Sequence, residues 1–308
     1  MIGQLTGLIG RDFVIGYFLP VAAFLAASLG LAVAFGLEPG GGGSLNETEI
    51  LVGSTLLALA SALGGVLLMA LNREVIRLME GYPYRSWNRC QRGRYRTLSS
   101  LADEIRQERT ALRNQGKTLS SERKAELEEV VGKMATYFPD EERWVLPTAL
   151  GNTIRAFEVY PRVMYGLDAI EGWGRLLGVV PTDYREQINA AKTQMDFWVN
   201  LWLLALLFFP EYVAIAIYGE SLKVPWALLA AGVVAFFAAS RAKSAAVEWG
   251  DLVKASFDLF LPDLWTKLGF VPVEDADEER ATWETFSWAV HYRTPRYLPK
   301  RHPSTSDE

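Results

Sequence analysis

The feature that most constrains this chain is the gathering of its apolar residues into four runs instead of a periodic scatter. The third, Phe197 to Tyr218, reads FWVNLWLLALLFFPEYVAIAIY and is the only one that holds a charged residue, Glu211. A helix needs about 20 apolar residues to cross the hydrocarbon core of a bilayer. On that scale Phe13 to Phe35, Ile50 to Leu71, Phe197 to Tyr218 and the Ala- and Gly-rich Pro225 to Ser240 read as transmembrane helices. The third run re-enters the membrane after a long polar interval, so the residues between become an insert on one side. The expected fold is all-α: an integral membrane protein with four transmembrane helices and a cytosolic helical insert. Its parts are an N-terminal transmembrane hairpin over 1–71, the insert over 72–196, a second hairpin over 197–246, and C-terminal cytosolic helices and tail over 247–308.

Charge sets the orientation. Arg73, Arg77, Arg85, Arg89, Arg92, Arg94 and Arg96 follow the second run, interleaved with Tyr82, Tyr84, Trp87 and Tyr95, and by the positive-inside rule this side is the cytoplasm. Glu38 to Thr48, with four consecutive glycines and only acidic charges, belongs outside, and both termini are expected in the cytoplasm. Two readings of Arg85, Arg89, Arg92, Arg94 and Arg96 stand: an orientation signal with an aromatic belt, or contacts to anionic lipids of the inner leaflet, at about 1 kcal/mol per charge. A net charge of -5 over 308 residues implies no nucleic-acid partner. The single cysteine, Cys90, excludes an intramolecular disulfide, a CxxC pair and a zinc ribbon.

Within the spans, Pro20 predicts a kink in the first helix. That run is too long, and lacks the basic start, for a cleavable signal peptide. Gly53, Ser54, Ala58, Ser61, Ala62, Gly64 and Gly65 give the second helix a small-residue surface suited to close helix pairing, and a homo-oligomer is expected. Glu211 is the strongest local anomaly. An ionised carboxylate in hydrocarbon is normally protonated, paired or facing a wet cavity. The other reading puts it roughly 12 Å from the Gly219 end, at about 1.5 Å per residue, within reach of the outer interface.

In the insert, Leu98, Leu101, Ile105 and Leu112 recur at helical spacing up to Gly116, and a second helix from about Ser120 to Pro139 completes a hairpin. Thr148 is placed to cap a helix bearing Asn152, Arg155 and Glu158, and a short helix over Tyr165 to Leu176 carries Asp168 and Trp173. Asn152, Arg155, Glu158, Tyr165, Asp168 and Trp173 are the candidate cytosolic polar site. The competing reading is a helical ion pair, Arg155 with Glu158, amid aromatic contacts.

These same residues carry a resemblance. Pro147-Thr148-Ala149-Leu150-Gly151-Asn152, then Arg155-Ala156 and Glu158, Tyr165-Gly166-Leu167-Asp168-Ala169, Trp173 and Arg175-Leu176 resemble the signature of an uncharacterised actinobacterial-type family of multi-span membrane proteins. Arg often follows Pro-Thr in that pattern, where this chain has Ala149, and Pro often follows the Trp, where it has Gly174. The resemblance implies the architecture and a bacterial inner membrane, and it supplies no chemistry.

Beyond the insert, a helix from about Thr182 is expected to run straight into the third span, and the fourth to continue through Trp249 and Phe257 until Pro262. The acidic run around Glu274 to Glu279 fits the first turn of a final helix. Both histidines, His291 and His302, lie in the tail without HExxH spacing, and no P-loop or GxSxG is present. No metal, cofactor or catalytic set is therefore expected. The leading expectation is a non-enzymatic oligomer, channel-like or scaffolding, with a cytosolic sensing or recruitment domain. The alternatives are a proton-coupled transporter using Glu211 and a membrane-interface enzyme or lipid-binding protein using the cytosolic polar site.

Overall fold

A computed structural model describes residues 10–37, 46–219 and 223–299. Gly40 to Gly43 of the loop expected outside, the first nine residues and His302 lie outside the described residues. Among those described the protein is all-helical: α1 (Arg11–Ala34), α2 (Glu47–Glu80), α3 (Arg89–Asn114), α4 (Ser121–Tyr137), α5 (Ala149–Tyr165), α6 (Ala169–Leu176), α7 (Thr182–Tyr218), α8 (Trp226–Leu268) and α9 (Ala276–His291). Four of them, α1, α2, α7 and α8, are long and apolar enough to cross a membrane. The chain divides into two compact units, Met1–Met79 with Asn189–Ala246, and Glu80–Ile188 with Val247–Glu308.

In the first unit two apolar clusters lie along the bundle. Phe13, Tyr17, Val21, Leu68 and Leu204 form one, and Leu31, Phe35, Phe208, Tyr212, Ala216 and Ala231 the other. Small residues set the spacing. A Cβ on Gly64 would lie 2.8 Å from Val21 Cγ1, and one on Gly65 3.1 Å from the Phe13 ring. α8 buries Ala231, Ala235, Ala238, Ala242, Ala245 and Ala246, a stripe at helical spacing that lets neighbouring backbones approach. A π-helical turn over Val14–Phe18 lies just ahead of α-helical Leu19 and Pro20.

In the second unit α3 and α4 form an antiparallel hairpin, with Ser120 capping α4 through Arg123 N–H. Arg123 ties it together through ion pairs to Glu104, Glu108 and Glu126 at 2.9, 2.9 and 2.8 Å. Trp265, Phe270, Trp283 and Phe286 stack edge to face and pack α9 on the end of α8.

Two expected helix boundaries are corrected. α8 does not stop at Pro262 but runs to Leu268. Phe257, Leu261 and Leu264 are each at most 2 % exposed, and this tertiary burial outweighs one lost backbone bond. Nor does the short helix start at Tyr165, because the preceding helix α5 runs through Pro161 to Tyr165 and closes at Gly166 in the left-handed conformation, φ 80°. Tyr165 therefore ends α5, and the short helix begins only at Ala169.

Candidate functional site

The residues of the candidate polar site do not converge. Thr148 caps α5 by accepting the Gly151 N–H, and its hydroxyl donates to Glu80 O, both at 2.9 Å. A Cβ on Gly151 would stand 2.4 Å from that same carbonyl, which is why glycine is required. Asn152 is fully buried and clasps Leu146, accepting its N–H at 2.6 Å and donating to its C=O at 3.0 Å. Pro147 lies against Gly81, whose φ is 91°. The Pro-Thr-x-Leu-Gly-Asn stretch is thus a clamp that fastens the start of α5 to the end of α2. Its polar groups are consumed by backbone.

The other residues fall into separate places. Arg155 pairs with Glu158 at 3.1 Å, donates a hydrogen bond to the Tyr82 hydroxyl, and lies 5.8 Å from the Trp144 ring centre. Burial, helped by Asp168 and opposed by Arg155, raises the pKa of Glu158 above the usual carboxylate range. Asp168 caps α6 by accepting the Ile170 N–H, while its own N–H binds Ser287 Oγ. Trp173 tilts against Phe257. Tyr165 and Tyr160 both donate to Asp258 Oδ1, at 2.6 and 2.9 Å, and their hydroxyl pKa values rise, first from burial and then from that bond. Asp258 is a partner that reading along the chain missed.

Of the arginines proposed for lipid contact, Arg85, Arg89, Arg94 and Arg96 are exposed and Arg92 is half-buried. Arg96 is already paired with Glu142. Trp87, between Arg85 and Arg89, is 79 % exposed. Cys90 is exposed as well.

Within the first unit, Glu211 accepts a hydrogen bond from Ser28 Oγ of α1 at 2.9 Å. The most enclosed polar cluster lies elsewhere, where α1 meets α7. Tyr17 donates to Asp196 Oδ2 at 2.8 Å, and Lys192, one turn earlier on α7, reaches the same oxygen at 2.7 Å. Asp196 is 3 % exposed and Asn200 fully buried. Asn200 Nδ2 donates to Gly16 O at 2.8 Å. The reason is local: Pro20 has no N–H to offer the carbonyl four residues back, and that carbonyl is Gly16. Gly16 also admits α7, since its Cβ would meet Thr193 Cγ2 at 3.4 Å. Asp196 and Asn200 sit one turn apart at the start of the third run, a spacing of four that marks a shared helix face. That signal was present in the sequence and went unread beside Glu211.

Among the described residues no group of three or more His, Cys, Asp or Glu is placed to hold a metal ion. No family model matches the chain, and neither curated proteins nor solved structures match it.

Proposed function

We propose that the chain is a non-enzymatic, self-associating multi-span protein of a bacterial inner membrane, channel-like or scaffolding, with both termini and the Arg-rich helical insert in the cytoplasm. The observation that carries self-association is α2. Only 11 % of its most apolar window is buried within the chain, against 22–28 % for the other three. Its outer half presents Gly53, Ser54 and Ala58, all exposed, and small residues are what bring membrane helices together. Cross-linking through cysteines placed at Gly53 and Ala58 in native membranes is expected to trap dimers or larger species. Monomer alone at every position would refute self-association. Orientation is tested on the natural Cys90: an impermeant thiol reagent should spare it in intact cells and label it in inverted vesicles.

A second reading, proton-coupled solute transport, is favoured by Glu211 and its Ser28 partner. An intramembrane carboxyl held by a neutral hydroxyl is of the type that exchanges protons. In reconstituted vesicles Glu211→Gln should abolish proton-driven flux, and unchanged flux excludes a proton-carrying role. Cytosolic recruitment and anionic-lipid contact through Arg85, Arg89 and Arg94 complete the proposal. Binding to vesicles containing anionic lipid, weakened by their replacement with Gln, is its readout.

A further inference from the structure

Helix α9 buries Trp283, Phe286, Ser287 and Ala289 in the second unit and leaves its opposite face open. Asp277, Ala281, Thr285, Trp288 and Tyr292 are exposed and recur in steps of three and four, the spacing of a single helix face. That face is charged in opposite senses at its two ends. Glu274, Asp277 and Glu278 open it, Arg293 and Arg296 follow it, and all five are exposed. Among the described residues none of the five has an ion-pair partner. Trp288 and Tyr292 are 47 % and 59 % exposed, yet the Trp288 ring centre lies 5.0 Å from that of Tyr292 and 5.1 Å from that of Tyr297. The turn that returns Tyr297 to Trp288 holds Arg293 at φ 55°, a conformation that glycine usually fills. The exposed rings therefore form one fixed surface instead of scattered side chains.

We propose that this face of α9 pairs antiparallel with α9 of a second copy of the chain, about a two-fold axis beside Glu284 and Thr285. The pairing rests on the self-association proposed above and adds to it a contact outside α2. A two-fold contact uses the same surface on both copies, so a face acidic at one end and basic at the other complements itself only when reversed. About that axis position 281 meets 288 and position 277 meets 292. Trp288 of each copy then covers the small Ala281 of the other, while Asp277 and Glu278 approach Arg293 and Glu274 approaches Arg296. Tryptophan, tyrosine and arginine are the side chains that most often carry the energy of an interface. Glu284, nearest the axis, is already held by Arg280 at 3.1 Å, so the two copies do not oppose bare carboxylates there. Antiparallel helix dipoles favour the same arrangement. An anionic lipid surface is a poorer occupant, since the basic end of the face would attract it and the acidic end repel it.

The test is cross-linking of the full chain in native membranes. With Cys90→Ser removing the natural thiol, Thr285→Cys places a single cysteine beside the axis, and a short bis-maleimide should join two copies. Gln115→Cys, exposed after α3, is the collision control and should give no dimer. Arg293→Glu with Arg296→Glu should lower the Thr285→Cys yield by about tenfold, because each reversal turns an exposed attraction into a repulsion. Glu274→Lys with Asp277→Lys should do the same. Co-expressed under two tags, these charge variants should recover the cross-link between them, since their ends are opposite again, and that rescue shows that both fold. A yield at Thr285→Cys no higher than at Gln115→Cys overturns the proposal, as does a product made only with a different protein. Retention of the cross-link in either charge variant, or loss without rescue, overturns it equally. Should the charge variants fail to fold, Ala281→Phe decides: it enlarges only an exposed side chain, and the cross-link should disappear, whereas its survival rejects the pairing. Dimers trapped at Gly53 and Ala58 without any at Thr285→Cys reject the α9 contact and leave that of α2 standing.

Discussion

Asn152→Ala separates a ligand-binding asparagine from a clamp. The side chain is fully buried and spends both of its amide atoms on Leu146, itself 1 % exposed. Removing it strands one backbone N–H and one C=O, each at a cost of about 1 to 3 kcal/mol, so about 2 to 6 kcal/mol together. The damage is local, because Leu146 and Asn152 are only six residues apart. The sharpest assay is therefore amide hydrogen exchange at Leu146, whose protection reports the opening free energy of that segment. At about 1.4 kcal/mol per decade, even the lower figure predicts exchange faster by about 25-fold. Asn152→Asp keeps an acceptor for the Leu146 N–H but sets a buried carboxylate oxygen against the Leu146 C=O, so it should not restore wild-type protection. Unchanged exchange at Leu146 in Asn152→Ala would refute the clamp and return Asn152 to the list of candidate ligand contacts.

Gly250→Ala should destabilise the second unit by about 1 to 3 kcal/mol, because its Cβ would stand 2.3 Å from Phe157 Cδ1. Thermal unfolding measures this, and adding Phe157→Leu should recover part of the loss. Tyr160 and Tyr165 have pKa values raised above the ordinary 10.0, so above pH 10 the folded state keeps protons that the unfolded state has lost. Their contribution is therefore intact below pH 10 and declines as pH rises toward the folded values, and Tyr165→Phe should flatten that alkaline loss in a stability-against-pH series. Replacing Arg123 with Met should loosen the α3–α4 hairpin, seen as faster exchange along α4. The difference between variant and wild type should shrink in high salt, because the three carboxylates it meets are solvent-screened.

Much of the helical framework was legible in the residues because its signals are local. Apolar runs mark the four long helices, Ser120 and Thr148 cap α4 and α5, and Asp277, Glu278 and Glu279 fill the first turn of α9. Helix ends were less legible. Pro262 looks like a stop along the chain, yet burial of neighbouring side chains carries α8 through it.

The candidate sites followed the same division. Spacing along α5 brought Asn152, Arg155 and Glu158 into one proposal, but spacing says nothing of what a side chain meets. Asn152 turned inward to Leu146, Asp168 capped a helix, and Tyr165 found Asp258 from 93 residues away. Sequence by itself determined the four long apolar helices, their small-residue surfaces and the N-caps, since hydrophobic periodicity and end-group chemistry act over a few residues. Only tertiary structure decided that Gly16 and Asn200, 184 residues apart, are partners, and that a carbonyl freed by Pro20 is answered from another helix. A polar group in an apolar bundle must find its donor wherever the fold brings one, and that distance is not written along the chain.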